Sequence, residues 1–272
     1  LPEPVFKTLN KLPDARSQLE QALEKAKALK SQYQQVKSLQ VLSSVCAVEG
    51  NADQAEQLAN QAVELARAIG IENQATHSLI WLGNAFLASG RFDAAEKHYK
   101  EGLELAQREN DRLNEAWALV SLGSLRITQR NTDEGIRYIE RAIPFYQQGG
   151  YRKFLSQALF LLGRAQRDKG DYDAALQTFR DNLQLAKEAG DLSQTAFLYG
   201  DIGDVLANQE QYPEAFQHYD EAYKINRSLN ARLFAGYGLM NRGSVLWQIG
   251  RYREARAIRN CSQPRCWRML KR

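Results

Sequence analysis

A step of 40 residues maps most of this 272-residue chain onto itself. The stretch LIWLGNAFLASGRFDAAEKHYKEG, from Leu79 to Gly102, shows the unit. The small residue at Gly83 recurs as Ser43, Gly123, Gly163, Gly203 and Gly243. The one at Ala95 recurs as Ala15, Ala55, Gly135, Ala175, Ala215 and Ala255. A small residue held at one place in a repeat marks a close approach of two helices, where a larger side chain would push them apart. Such a chain is an array of like units, each burying its apolar stripe on its neighbours. The length alone would allow one or two globular domains; the repeat predicts one elongated array.

Gly83 and Ala95 are 12 residues apart, with Gly90-Arg91 between them, which reads as helix, tight turn, helix. The turn glycine returns as Gly50, Gly170 and Gly250 and is replaced by Arg130 and Glu210. A second stop signal follows each second helix: Gly70, Asn110, Gly150, Gly190 and Asn230. Glycine and asparagine accept the left-handed conformation that ends a helix. Each unit is therefore a helical hairpin, A helix then B helix, joined to the next without a linker.

Leu82-Gly83-x-x-Phe86 followed by Ala95-x-x-x-Tyr99 resembles the tetratricopeptide pattern L-G-x-x-Y…A-x-x-x-F. The pattern returns at Leu162-Gly163 with Ala175 and Phe179, and at Ile202-Gly203 with Ala215 and Tyr219. The turn aromatic returns as Phe92, Tyr172, Tyr212 and Tyr252. The resemblance covers about residues 11 to 258 and departs in its period, 40 rather than about 34. Long-period repeats of this kind look like those of kinesin light chains and bacterial signalling proteins. The resemblance implies an all-α fold, a right-handed α-α superhelix of about six hairpins, with A helices on the concave side.

The repeats fall near 31–70, 71–110, 111–150, 151–190, 191–230 and 231–259. Residues 1–30 are expected to hold an irregular lead-in and the unpaired B helix of a partial repeat, and 260–272 an irregular basic tail. Leu1 is not an initiating methionine, so the expectation is a fragment or a processed product. Repeat three departs most: Arg126 stands in the Phe86 slot, Arg130 in the turn, and Pro144 inside the B helix, where a kink or break is expected. In repeat six, helix A carries Tyr237, Leu239, Met240, Val245, Leu246 and Trp247, while helix B ends near Pro264 after two turns or slightly more. That apolar load can be covered by the Trp267–Leu270 tail folding back, by a second copy or by a neighbouring domain; the expectation is a missing neighbour or self-association through the C-terminal repeat, with Met240 and Trp247 at the edge.

Net charge is +4 on 36 basic and 32 acidic residues, a mixed surface rather than the dense basic stripe of a nucleic-acid binder. No nucleic-acid partner is expected, and a helical-repeat RNA binder is the weakest reading. No apolar run reaches membrane-spanning length. Cys46, Cys261 and Cys266 form no disulfide framework, which favours a reducing compartment and a cytoplasmic location. Neither G-x-x-x-x-G-K-S/T, H-E-x-x-H nor G-x-S-x-G occurs, and His98 and His218 share a slot three repeats apart, too far to share a metal. The expectation is no enzyme, no catalytic residue, no metal and no cofactor.

If the concave side is lined by A helices, three rows project there. The first runs Lys37, His77, Trp117, Gln157, Phe197, Tyr237; the second Gln40, Ile80, Val120, Phe160, Gly200, Met240; the third Ser44, Asn84, Ser124, Arg164, Asp204, Ser244. Aromatics with polar groups beside them suit a peptide or partner helix in a groove. The competing reading puts Trp117, Phe160 and Phe197 in the core. Arg164 and Asp204 either select a ligand or pair with each other. The candidate groove is His77, Ile80, Asn84, Trp117, Val120, Ser124, Phe160, Arg164, Phe197, Asp204, Tyr237 and Met240. Residues like the carboxylate clamp of chaperone-binding tetratricopeptide domains are not evident in the matching slots, so chaperone tails are not expected. Two functions follow: a non-catalytic scaffold binding a protein or peptide, or a regulatory or sensor segment of a larger signalling protein such as a kinase, ATPase or protease.

Overall fold

The computed structural model describes residues 12–259, and in them every side chain but those of 12–15, 232, 233, 235, 237 and 259. The expected lead-in at 1–10 and basic tail at 260–272 lie outside the described residues. Among the described residues there are thirteen α-helices and no strand. In chain order they are α1 (Leu12–Ala28), α2 (Gln32–Val48), α3 (Ala52–Ala68), α4 (Glu72–Ala88), α5 (Phe92–Arg108), α6 (Arg112–Thr128) and α7 (Thr132–Gln148). Then follow α8 (Arg152–Lys169), α9 (Tyr172–Glu188), α10 (Leu192–Asn208), α11 (Tyr212–Ser228), α12 (Arg232–Gln248) and α13 (Tyr252–Arg259).

The joints follow a 20-residue rhythm. Positive φ occurs at Lys30, Gly50, Gly70, Gly90, Asn110, Arg130, Gly150, Gly170, Gly190, Glu210, Asn230 and Gly250. The next residue closes the turn backwards: the amide of Asn51 donates to the carbonyl of Cys46 at 2.9 Å, and that of Arg91 to Phe86 at 2.9 Å. At some joints the same residue also starts the next helix. Asp111 Oδ1 accepts from the amide of Asn114 at 3.0 Å, and Asp191 Oδ1 from that of Gln194 at 2.9 Å. One residue thus serves two helices, which is why no linker is needed.

The small slots meet their partners differently from expectation. Close approach to the paired alanine slot was expected at Gly83, Gly123, Gly163 and Gly203. A β-carbon on Gly83 would instead meet the Tyr99 ring at 2.5 Å, and one on Gly203 the Tyr219 ring at 2.6 Å. In repeat three, where Ile139 stands in place of the aromatic ring, a β-carbon on Gly123 would meet both Ile139 at 2.7 Å and the carbonyl of the paired Gly135 at 2.8 Å. The glycine makes room for a ring one helical turn beyond the alanine.

Packing divides the chain into two compact units, one ending at Tyr151 and the other beginning at Arg152. The boundary falls at the end of repeat three, whose sequence departs most. In the first unit α1 packs on α2, and Leu23 joins Leu39, Leu42 and Ala62 in a shared cluster, as a B helix should. The A helices also touch: α2 packs on α4, and α4 on α6. In the second unit α10 likewise touches α12.

Two irregularities of repeat three resolve plainly. Helix α7 runs unbroken through Pro144, so no break occurs there. Pro144 and Glu140 are both exposed, so water can serve the Glu140 carbonyl that lacks its amide donor. Arg126 fills the Phe86 slot with an ion pair: its guanidinium donates to Glu96 at 2.6 and 2.9 Å and also pairs with Glu134 at 3.0 Å. Those bonds, with Lys100, hold the Glu96 carboxyl down at about 2.

Candidate protein-interaction face

In the first unit the first row is brought together. His77 on α4 lies 4.7 Å, ring to ring, from Trp117 on α6, and 5.9 Å from Trp81 one turn along its own helix. Trp81 Nε1 donates to His77 Nε2 at 3.4 Å. Burial, and then the charge of Lys37 on α2, push the His77 imidazole down to about 4, so it is neutral at physiological pH. The Lys37 ammonium sits 5.7 Å over the ring of Tyr33. Trp81 is 39% exposed and Tyr33 47%, while Trp117 is half-buried against the core. Trp81 belongs to none of the three rows predicted from sequence.

The second row is largely core in this unit. Ile80 is fully buried and Val120 nearly so, which corrects their expected place on a ligand-facing surface. Gln40 is buried too, and its amide donates to Ser78 Oγ at 2.9 Å and to the Gln74 carbonyl at 3.1 Å, tying α2 to α4. The row sits at the contact between successive A helices, so its larger side chains fill that seam. In the third row Asn84 and Ser124 are half-buried, and Asn84 Oδ1 accepts from Tyr99 Oη at 2.7 Å.

The second unit carries a different face. Phe160 is half-buried and helps line a cavity of about 560 Å³ with Lys153, Gln157 and Gln194. The exposed Arg164 guanidinium lies 5.6 Å over the Phe160 ring rather than against Asp204. Asp204 accepts from Tyr219 Oη at 2.8 Å and Asn241 Nδ2 at 3.0 Å, and Arg167 stands 3.9 Å away. The expected pairing of Arg164 with Asp204 is thus made by Arg167. Arg167, Asp204, Tyr219 and Asn241 border a cavity of about 310 Å³. Burial, and then Asp204, raise the neighbouring Asp201 carboxyl to about 6. Phe197 is 46% exposed and meets Phe234 edge-on at 5.0 Å. Met240 is 63% exposed, and the side chain of Tyr237 lies outside the described residues.

Asn84 and Asp204 share a slot, and each accepts from the B-helix tyrosine 15 residues on. In repeat four that ring is Phe179, which has no hydroxyl, and the slot holds the outward Arg164 instead. The third row is therefore partly a buttress for the buried rings, and Arg164, over the Phe160 ring, stands outside that role.

His98 is buried between Glu56 at 3.6 Å and Glu101 at 3.2 Å and stacks on Phe86, a structural role. Among the described residues no three His, Cys, Asp or Glu side chains are placed to hold a metal ion, and no helix is long and apolar enough to cross a membrane.

Successive helical hairpins whose A helices touch within each unit define a helical-hairpin repeat protein. The family model described as "Tetratricopeptide repeat" matches residues 74–148, 118–188, 154–228 and 194–265, more than half of the chain. The chain belongs to the tetratricopeptide repeat family. Among curated proteins it is similar to the transcriptional activator NprA of Geobacillus stearothermophilus, 27% identical over 107 residues, which are 39% of this chain and 26% of that protein. The match spans about a quarter of that relative's length. Among solved structures it is similar to BtubC (BKLC) from P. vanneervenii, with TM-score 0.71 and 18% identity over 80% of this chain and 92% of that one. It is also similar to a Rap protein complexed with Competence and Sporulation Factor, with TM-score 0.59 and 16% identity over 93% of this chain and 74% of that one. At such identities the likeness concerns the fold.

Proposed function

We propose that this chain is a non-catalytic protein-interaction module that holds a peptide or a partner helix on its A-helix face. The observation that carries the reading is the aromatic surface of the first unit, where the open Trp81 and half-buried Trp117 flank His77 and the open Tyr33 lies under Lys37. Exposed aromatic rings with a polar handle are what an interface core uses. The exposed Phe197 beside Phe234 gives the second unit a surface of the same kind. The solved Rap protein complexed with Competence and Sporulation Factor supports the reading at the level of fold. The buried free thiol of Cys46 fits the cytoplasmic setting we assign.

Recovery of partners from a lysate of the source cells by the intact chain tests the proposal. Trp81→Ala and Phe197→Ala remove exposed rings, so they leave the fold standing. Loss of a recovered partner in either variant is expected, and retention of every partner in both overturns the reading. A regulatory segment of a larger signalling protein is the second reading, supported by the partial match to a longer transcriptional activator. The full open reading frame tests it: a neighbouring effector domain supports it, and a gene of these repeats alone removes it.

A further inference from the structure

The A-helix face of the first unit has a charge pattern that narrows its ligand. Outside the core its side chains include Tyr33, Lys37, Val41, His77, Trp81 and Trp117. Lys37 is the single formal charge among these six, because His77 is neutral. Burial pushes the Lys37 ammonium down from its ordinary value, and the group lies over the ring of Tyr33 rather than against a carboxylate. Among the described residues no carboxylate pairs with this half-buried cation, which lies over the open Tyr33 ring and near enough to His77, the neighbour of the open Trp81, to act on its charge. An incoming carboxylate would restore what burial costs that charge, and an incoming cation would repel it.

We propose that this face binds a short peptide segment in which an aspartate or glutamate lies close to a large apolar side chain. The carboxylate pairs with Lys37, and the apolar side chain packs on Trp81 and Val41. The proposal deepens the protein-interaction reading and rests on it. Adjacent A helices lie about 8–10 Å apart, a gap that about three extended residues span. The acid and the apolar residue are therefore one to three positions apart.

A random peptide library displayed on phage, panned against the intact chain, tests this directly. The expected result is enrichment of peptides with an acid within about three residues of Trp, Phe or Leu, and their loss on the Trp81→Ala variant. Panning on Lys37→Glu is expected to turn the preference towards Lys and Arg. For an enriched peptide made synthetically, Lys37→Met keeps the stem without the charge and is expected to weaken binding by about tenfold or more, as loss of a charged hydrogen bond does. Peptides that depend on Trp81 but show no acidic preference, and the same selection on Lys37→Glu, overturn this inference while leaving the interaction module in place. Failure to enrich any peptide that depends on Trp81 counts against both.

Discussion

The ring of Phe179 occupies the space a β-carbon on Gly163 would need: the two would meet at 2.6 Å. The same is true of Gly83 under Tyr99 and Gly203 under Tyr219. The repeat is thus held by a lock between a missing side chain on an A helix and a ring on its own B helix. Gly163→Leu is expected to cost about 1–3 kcal/mol or more through overpacking. Gly200 is the control: a β-carbon there meets nothing within 4 Å, so Gly200→Ala should stabilise by about 0.5–1 kcal/mol. Denaturant unfolding of the two variants checks both signs, and equal effects would disprove the lock.

The 40-residue period made these slots legible, because packing against identical neighbours forces identical residue sizes. The interaction face was less legible, for the same reason. Trp81 has Val41, Ser121, Leu161, Asp201 and Asn241 at its equivalent positions, so no shared chemistry drew attention to that row. A ligand contacts particular residues, not the average of a row. Conversely, Ile80 and Val120 were drawn into the candidate groove by their row, although that row lies in the seam between A helices. The division at Tyr151 was not readable from a pattern that continues through it.

Arg130 and Glu210 hold left-handed backbone at φ 66° and 62°, where most equivalent joints have glycine. A side chain there costs about 1–2 kcal/mol, partly offset by the greater freedom that glycine has when unfolded. Arg130→Gly and Glu210→Gly should each stabilise by about 0.5–1 kcal/mol. A fall in thermal midpoint for both would mean that their side chains make up for the strain.

Stability of the first unit should fall as the solution is acidified past the ordinary histidine range. His77 has a folded value of about 4 against 6.5 for the free side chain, so the unfolded chain binds its proton more readily between those values. The stabilisation from neutral His77 is therefore complete above about 6.5 and is lost as pH falls towards 4. Asp201, raised to about 6 from 3.8, has the opposite sign: protonation in the fold adds stability as pH falls through that window. Comparing thermal midpoints of the wild type and His77→Gln from pH 7 to 4 separates the two, since Asp201 is common to both. The wild type is expected to lose more; parallel curves would rule out His77 as the source.

The C-terminal repeat leaves apolar side chains open to water. Met240 is 63% exposed, Trp247 61% and Tyr252 55%, with the Trp247 and Tyr252 rings edge-on at 4.8 Å. Leu239, Met240, Trp247 and Ile258 border a cavity of about 530 Å³. In the first unit the Met240 slot is buried, as Gln40, Ile80 and Val120. Helix α13 is described from Tyr252 to Arg259, and the end expected near Pro264 lies outside the described residues. A contiguous apolar patch of this kind is where soluble chains associate. Self-association through this end predicts that the mass from light scattering rises with concentration. Trp247→Arg and Met240→Glu should return it to that of a single chain, with no loss of helix by circular dichroism. The mass of one chain at every concentration, in the wild type, would refute self-association at this surface.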